Sequence, residues 1–117
     1  MQYMLLIMGD ETMMNAATVV DDTGMSAEYG AFNEALAKAG AMRGGNRLKP
    51  SSATTSVRVR DKKAVVLDGP YSETQEQLGG YYLIDVPDLD AAIEWAKRLP
   101  AAQFGTIEIR PIWPIKR

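Results

Sequence analysis

The opening octapeptide, Met1-Gln2-Tyr3-Met4-Leu5-Leu6-Ile7-Met8, carries no charged side chain and constrains everything that follows. Read as a strand, its alternate side chains point to opposite faces. Tyr3, Leu5 and Ile7 then share one side, and Met4, Leu6 and Met8 share the other. A strand apolar on both sides belongs in the interior of a sheet and needs cover on each face. Helices are expected to supply one cover. Ser26 is a predicted N-cap for a helix running to about Ala39, with Tyr29, Phe32, Leu36 and Ala39 as its apolar stripe and Gly40 as its stop. Asp88 is a predicted N-cap for a second helix, with Leu89, Ala92, Ile93, Ala96 and Leu99 facing inward, ended by Pro100.

Further strands are expected between and after these helices. Ala41 to Lys49, with Gly44-Gly45, reads as a bent or bulged strand. Thr54 to Arg60 alternates, with Val57 and Val59 on one face and Ser56, Arg58 and Arg60 on the other. Asp61-Lys62-Lys63 is a hairpin turn into Ala64 to Leu67. Gly80 to Val86 and Thr106 to Ile112 complete the set, and Asp10 to Val20 reads as either a short helix or a polar loop. At 117 residues, with no linker or repeat, the chain is read as one domain over 1–117. The order strand, helix, hairpin-like strands, strand, helix, strand predicts an α+β, ferredoxin-like fold with an added β-hairpin. Both helices should lie on one face of the antiparallel sheet. The other face stays apolar and is too large to expose, so a homodimer packed sheet to sheet is expected.

The chemistry open to such a fold is narrow. There is no cysteine, which excludes disulfides, thiolate metal sites and cysteine nucleophiles. There is no histidine, so the usual base near neutral pH and the commonest transition-metal ligand are missing too. Acid–base work falls to Asp, Glu, Tyr or Lys. Carboxylates can bind a hard cation, but no dense cluster of them occurs, and neither metal nor cofactor is expected. A formal net charge of −2 argues against nucleic acid, whose phosphates call for a basic excess or face. No apolar run approaches the roughly 18 residues of a membrane span. The first residues lack the charged region of a secretory signal, so a cytoplasmic location is the expectation.

Between two of the apolar strands lies the run Leu67-Asp68-Gly69-Pro70-Tyr71-Ser72-Glu73-Thr74-Gln75-Glu76-Gln77-Leu78-Gly79-Gly80-Tyr81-Tyr82-Leu83-Ile84. Turn residues punctuate both ends, so it reads as a shaped arch joining two strands. Asp68-Gly69-Pro70-Tyr71-Ser72-Glu73-Thr74 and Glu76 to Ile84 resemble the signature of YCII-related proteins, and more narrowly the DGPF-domain branch, with tyrosine in place of phenylalanine. The likeness extends over Tyr3 to Asp10, Glu28 to Phe32, Ala53 to Arg60 and Pro100 to Trp113. It implies a dimeric α/β barrel. In the wider family, a histidine near the start of the first helix and an aspartate before a late proline form the proposed catalytic pair. Tyr29 and Leu99 occupy those positions here, and neither can replace the residue it stands for. The branch is also associated with sigma-type transcription regulators, and a regulator partner is one implied role.

Candidate site residues cluster on the arch. Asp68 either faces a pocket as a catalytic carboxylate or closes an Asx-type turn ahead of Gly69-Pro70. Tyr71 is a pocket wall or a core plug. Glu73 and Glu76 would share a face of one helical turn, either as an acidic pair for a cation or amine or as solvated helix-end carboxylates. Gly79-Gly80 either admits a ligand or marks a bulge. Arg58, with Arg60 and Arg110, is placed to anchor a carboxylate or to line the wet side of a strand. Tyr29, Gly69, Tyr71, Glu73, Glu76 and Arg58 are thus the candidate ligand-binding set, with Asp68 the candidate catalytic residue. Met13, Met14 and Met25 line an adaptable pocket or fill the core. A small-molecule-binding or accessory module is the leading reading. The alternative is a lyase- or isomerase-type enzyme on a small organic acid, working through carboxylate and tyrosine.

Overall fold

A computed structural model describes residues 1–11, 26–72, 74–115. The expected segment at Asp10 to Val20, Met13, Met14, Met25 and the candidate Glu73 therefore fall wholly or largely outside the described residues. The chain runs β1 (Gln2–Gly9), α1 (Ala27–Lys38), β2 (Met42–Arg47), β3 (Thr55–Arg60), β4 (Lys63–Asp68), β5 (Gln77–Asp85), α2 (Leu89–Lys97) and β6 (Thr106–Pro111). Short 3-10 turns at Ser51–Ala53 and Pro100–Gln103 join these elements.

Four strands form one antiparallel sheet in the order β2-β5-β1-β6, with the unbroken apolar strand β1 in the interior. Its two faces meet different fates. Tyr3, Leu5 and Ile7 are buried with Tyr82 and Ile84 beneath the helices, joined there by Phe32, Leu36, Ala92, Ala96 and Leu99. Met4, Leu6 and Met8 are only half-buried, as is Leu83, which pairs with Met4 across β1 and β5. The result is an α+β subunit with both helices on one side and, on the other, an open sheet face that is apolar along its centre and carries Glu108 and Arg110 on its β6 edge. A single chain closes no barrel.

The helix caps follow the local chemistry. Ser26 accepts from the Tyr29 amide at 3.2 Å, and Asp88 accepts from Ala91 at 2.9 Å. Each side chain satisfies an amide that the first turn of the helix leaves without an intrahelical partner. Two expected inward residues turn out otherwise. Ala39 is the C-cap of α1 and is exposed, because the left-handed Gly40 at φ +69° ends the helix there. Leu89, the first residue of α2, is 49% exposed, since it precedes the turn that meets the core.

Both glycine pairs serve backbone geometry. The register of β2 on β5 slips between Met42 and Gly44, and that of β1 on β5 slips between Ile7 and Met8, opposite Gly79. A Cβ on Gly80 would come within 2.9 Å of the Asn46 carbonyl oxygen. The bulge reading of Gly79-Gly80 is therefore sufficient.

Strands β3 and β4 form a separate two-stranded hairpin, turned by Asp61 and Lys62, both at positive φ. Two such residues in succession match the tight turn that suits strand twist. The apolar composition of Ala64 to Leu67 suits a buried strand, yet every side chain of β4, and all of β3 except the half-buried Ser56, is exposed. The hairpin stands off as an arm. The radius of gyration of 16.1 Å exceeds the about 13 Å of a compact domain of this length.

Candidate functional site

The arm leaves the body through two chain segments, residues 48–54 and 69–78. Between them lies a cleft of about 740 Å³, lined by Leu48, Lys49, Pro50, Ser51, Ser52, Ala53 and Thr54 on one side and by Pro70, Ser72, Thr74, Gln77 and Leu78 on the other. That volume is in the range of small-molecule sites.

Its walls are pinned. Glu11 accepts from both the amide and the hydroxyl of Ser51, the latter at 2.8 Å, and its own amide donates to the Gln77 side chain at 3.1 Å. Gln77 in turn donates to the Thr74 carbonyl. At the root of the arm, the Gly69 amide donates to the Thr54 carbonyl at 2.6 Å, and Ser56 donates to the Gly69 carbonyl at 2.7 Å. Gly69 holds φ +104°, a conformation that favours glycine, and this turns the chain out of β4 toward the cleft. Lys49 is the charged residue among the described lining residues. Ser52, Thr54 and Ser72 add hydroxyls without side-chain partners among the described residues.

The sequence-derived candidates divide. Gly69 shapes the cleft through its backbone, but Asp68 is an exposed strand end opposite Thr55 and is not among the described lining residues. Its side chain closes no hydrogen-bonded turn among the described residues. Tyr71 lies under Arg58, whose guanidinium carbon is 3.7 Å from the ring centroid, and the phenol donates to the Val65 carbonyl at 3.3 Å. Arg58 and Tyr71 thus brace the arm against the arch. Glu76 accepts from the Thr106 hydroxyl at 2.9 Å and forms no helical turn with its neighbours, because the described part of the arch is a series of bends. Sequence reading passed over Lys49, Ser52, Thr54, Ser72 and Glu11. The signal for most of them was the hydroxyl-rich run Lys49-Pro50-Ser51-Ser52-Ala53-Thr54, a loop signature between two strands.

Tyr29 is the one candidate outside this region. It is half-buried against the core, where burial raises its phenol above the usual value, while a backbone hydrogen bond at Ala101 and the charge of Arg47 oppose that rise. Nearby Tyr82 donates to Asn33, and its pKa is pushed up to about 12, first by burial and then by Tyr29. Both phenols stay protonated near neutral pH. The folded protein therefore holds a proton on Tyr82 that the unfolded chain releases near pH ~10. Stability from this group is complete below pH ~10 and is lost as pH rises toward 12. Absorbance titration at 295 nm should show a late tyrosine coinciding with loss of far-UV circular dichroism, and Tyr82→Phe should abolish that late step.

A family model for the YCII-related domain matches residues 1–116. The chain belongs to the YCII-related family. It is also 34% identical over 114 residues to an uncharacterised protein of Rhizobium meliloti (strain 1021), covering 96% of this chain and 92% of that one. In this YCII-related protein, the fold brings Tyr29 to the backbone of Ala101, two residues beyond Leu99. Leu99 is 1% exposed and belongs to the hydrophobic core. Of the two positions that the family resemblance pairs, Tyr29 presents a protonated phenol and Leu99 a buried leucine. Among the described residues no group of three or more Asp or Glu could hold a metal ion, and no helix is long and apolar enough to cross a membrane.

Proposed function

We propose that this YCII-related protein, of the DGPF type, is a homodimeric small-molecule-binding module. Its ferredoxin-like subunits pair sheet to sheet as a two-fold barrel, and each holds a small organic acid in the cleft at the root of its arm without turning it over. The cleft carries this reading: one ammonium group, three hydroxyls without side-chain partners among the described residues, and apolar walls from Leu48, Pro50, Pro70 and Leu78. A carboxylate or similar oxyanion suits that combination, because Lys49 offers charge and the hydroxyls offer donors, while the prolines and leucines cover a short carbon skeleton. The absence of turnover is supported by the described lining of the cleft, which includes no carboxylate residue to act as a base and does not include the candidate Asp68. The dimer is supported by the open face of Met4, Leu6, Met8 and Leu83.

A thermal-shift screen of small mono-, di- and tricarboxylates, with simple amines as controls, tests the ligand class. An acid that binds the native state raises the melting midpoint by mass action, worth about 2.7 kcal/mol at a hundredfold excess over Kd. Lys49→Ala should weaken that acid at least tenfold in isothermal titration while leaving the ligand-free midpoint unchanged. If no acid shifts the midpoint, or if Lys49→Ala binds equally well, the assignment fails.

A further inference from the structure

The open face of the sheet has an apolar centre, with Met4 and Leu6 on β1 and Leu83 on β5, but the edge strand β6 adds two charges to it. Glu108 stands beside Leu6, and Arg110 stands beside Met4. Both are exposed. Two positions apart on one strand face, they are separated by about 7 Å along the backbone. Among the described residues neither enters an ion pair or a hydrogen bond. Asp85, at the Gln2 end of the same face, is by contrast already paired with Arg43 at 3.6 Å. An acid and a base left open side by side form a self-complementary pattern, because the pair turned over on itself meets its own opposite. An unrelated acidic or basic surface would satisfy only one of the two.

A second copy that covers the apolar centre must also dispose of these charges, and the position of the two-fold axis decides how. An axis along β6 sets each charge on its own copy. An axis along β1 lays β6 over β5, so Glu108 faces the partner's Tyr81 and Arg110 faces the partner's Leu83. An axis across the strands instead keeps each strand over its own copy, running the other way. Level with Leu6 it sets Glu108 on Glu108, and level with Met4 it sets Arg110 on Arg110. Level with Leu5 and Ile109 it sets Glu108 opposite Arg110 twice, Met4 opposite Leu6, and Leu83 opposite Tyr81.

We infer that the dimer proposed above, on which this assignment rests, has its two-fold axis across the strands at Leu5 and Ile109. Reciprocal ion pairs between Glu108 of one copy and Arg110 of the other then border the apolar centre. Packed sheets lie about 10 Å apart, a gap that a glutamate and an arginine reaching from opposite sides can close. The angle of about 30° between aligned sheets displaces facing residues least near the axis, where these pairs lie. Because β6 is an edge strand, the ion pairs sit at the rim and fix register more than they add affinity.

Glu108→Arg sets arginine against arginine at both crossings, and Arg110→Glu sets glutamate against glutamate. Each variant alone is expected to dimerise roughly tenfold or more weakly than the wild type in sedimentation equilibrium. Far-UV circular dichroism should not change, since both positions are exposed in the subunit. Mixed in equal amounts, the two variants regain opposite charges at both crossings. A heterodimer of nearly wild-type affinity should form, seen as a species of mixed mass in native mass spectrometry when one variant carries 15N. The double swap, Glu108→Arg with Arg110→Glu, should likewise recover the homodimer, and it decides the matter if a single variant fails to fold. Unchanged affinity in the single variants, or no recovery in the mixture or the double swap, overturns this register and leaves a sheet-to-sheet dimer standing. A wild-type protein that sediments as a monomer removes the dimer and the register together.

Discussion

Leu83→Glu is expected to yield a folded monomer where the wild type sediments as a dimer at micromolar concentration. Leu83 lies on the open face, opposite Met4 on β1 and Gly44 on β2. In the isolated subunit it is half-buried, so a carboxylate there keeps access to water and the subunit survives. In a sheet-to-sheet dimer the same carboxylate would lose that water, and Arg110, a cation of this face, stands across Met4 on β6 rather than beside it. The penalty for leaving a buried charge uncompensated is about 3–5 kcal/mol, or roughly a hundredfold to several thousandfold in the dissociation constant. A Leu83→Glu protein that dimerises as tightly as the wild type would show that the open face is not the interface. Circular dichroism on the same sample separates dissociation from unfolding.

Ile84→Ala should act on the other side of the same strand, and through stability rather than assembly. Ile84 is fully buried and sits between Tyr3 on β1 and Met42 on β2, beneath the helices. Truncation removes three carbons from a site whose neighbours are held in register by two sheet ladders, so collapse into the void is limited. A loss of about 3–4 kcal/mol is expected, which is a large share of the 5–15 kcal/mol by which domains are stable. Urea denaturation reads it as a lower midpoint at constant slope. The contrast is diagnostic. Adjacent residues of β5 point to opposite faces, so one substitution should abolish pairing with little effect on folding, and its neighbour should do the reverse.

Much of this architecture is legible in the chain. Ser26 and Asp88 announce their helices because a side-chain oxygen followed by an apolar period of three and four has few other uses. Both helix starts lie where those residues place them. The bulge at Arg43, just ahead of Gly44-Gly45, and the turn at Asp61-Lys62 are equally local, since each is set within a few residues of chain. Burial along β3 and β4 is a different matter. Val57, Val59, Val65 and Val66 have the composition of an inner strand, yet in one chain they face solvent. Composition records that an apolar surface must be covered somewhere and does not record by what.

The cleft shows the same division. The arch was recognisable from Asp68-Gly69-Pro70, and its turning glycine adopts the conformation that residue type suggests. The opposing wall was not, because Lys49, Ser52 and Thr54 form an ordinary polar loop until the fold places it against Pro70 and Ser72. Likewise Tyr29 is legible as part of an apolar helix stripe, but its nearness to Tyr82, 53 positions on, is not. Burial together is what drives the phenol of Tyr82 to about 12.

Local preference and apolar period therefore account for the elements, their ends and the central place of β1, because each depends on residues a few positions apart. The standing-off of the arm, the cleft between two distant loops and the unmatched apolar face of the sheet emerge only when those elements pack. Their energies come from contacts between residues far apart in the chain, and a linear pattern carries no distance for such pairs.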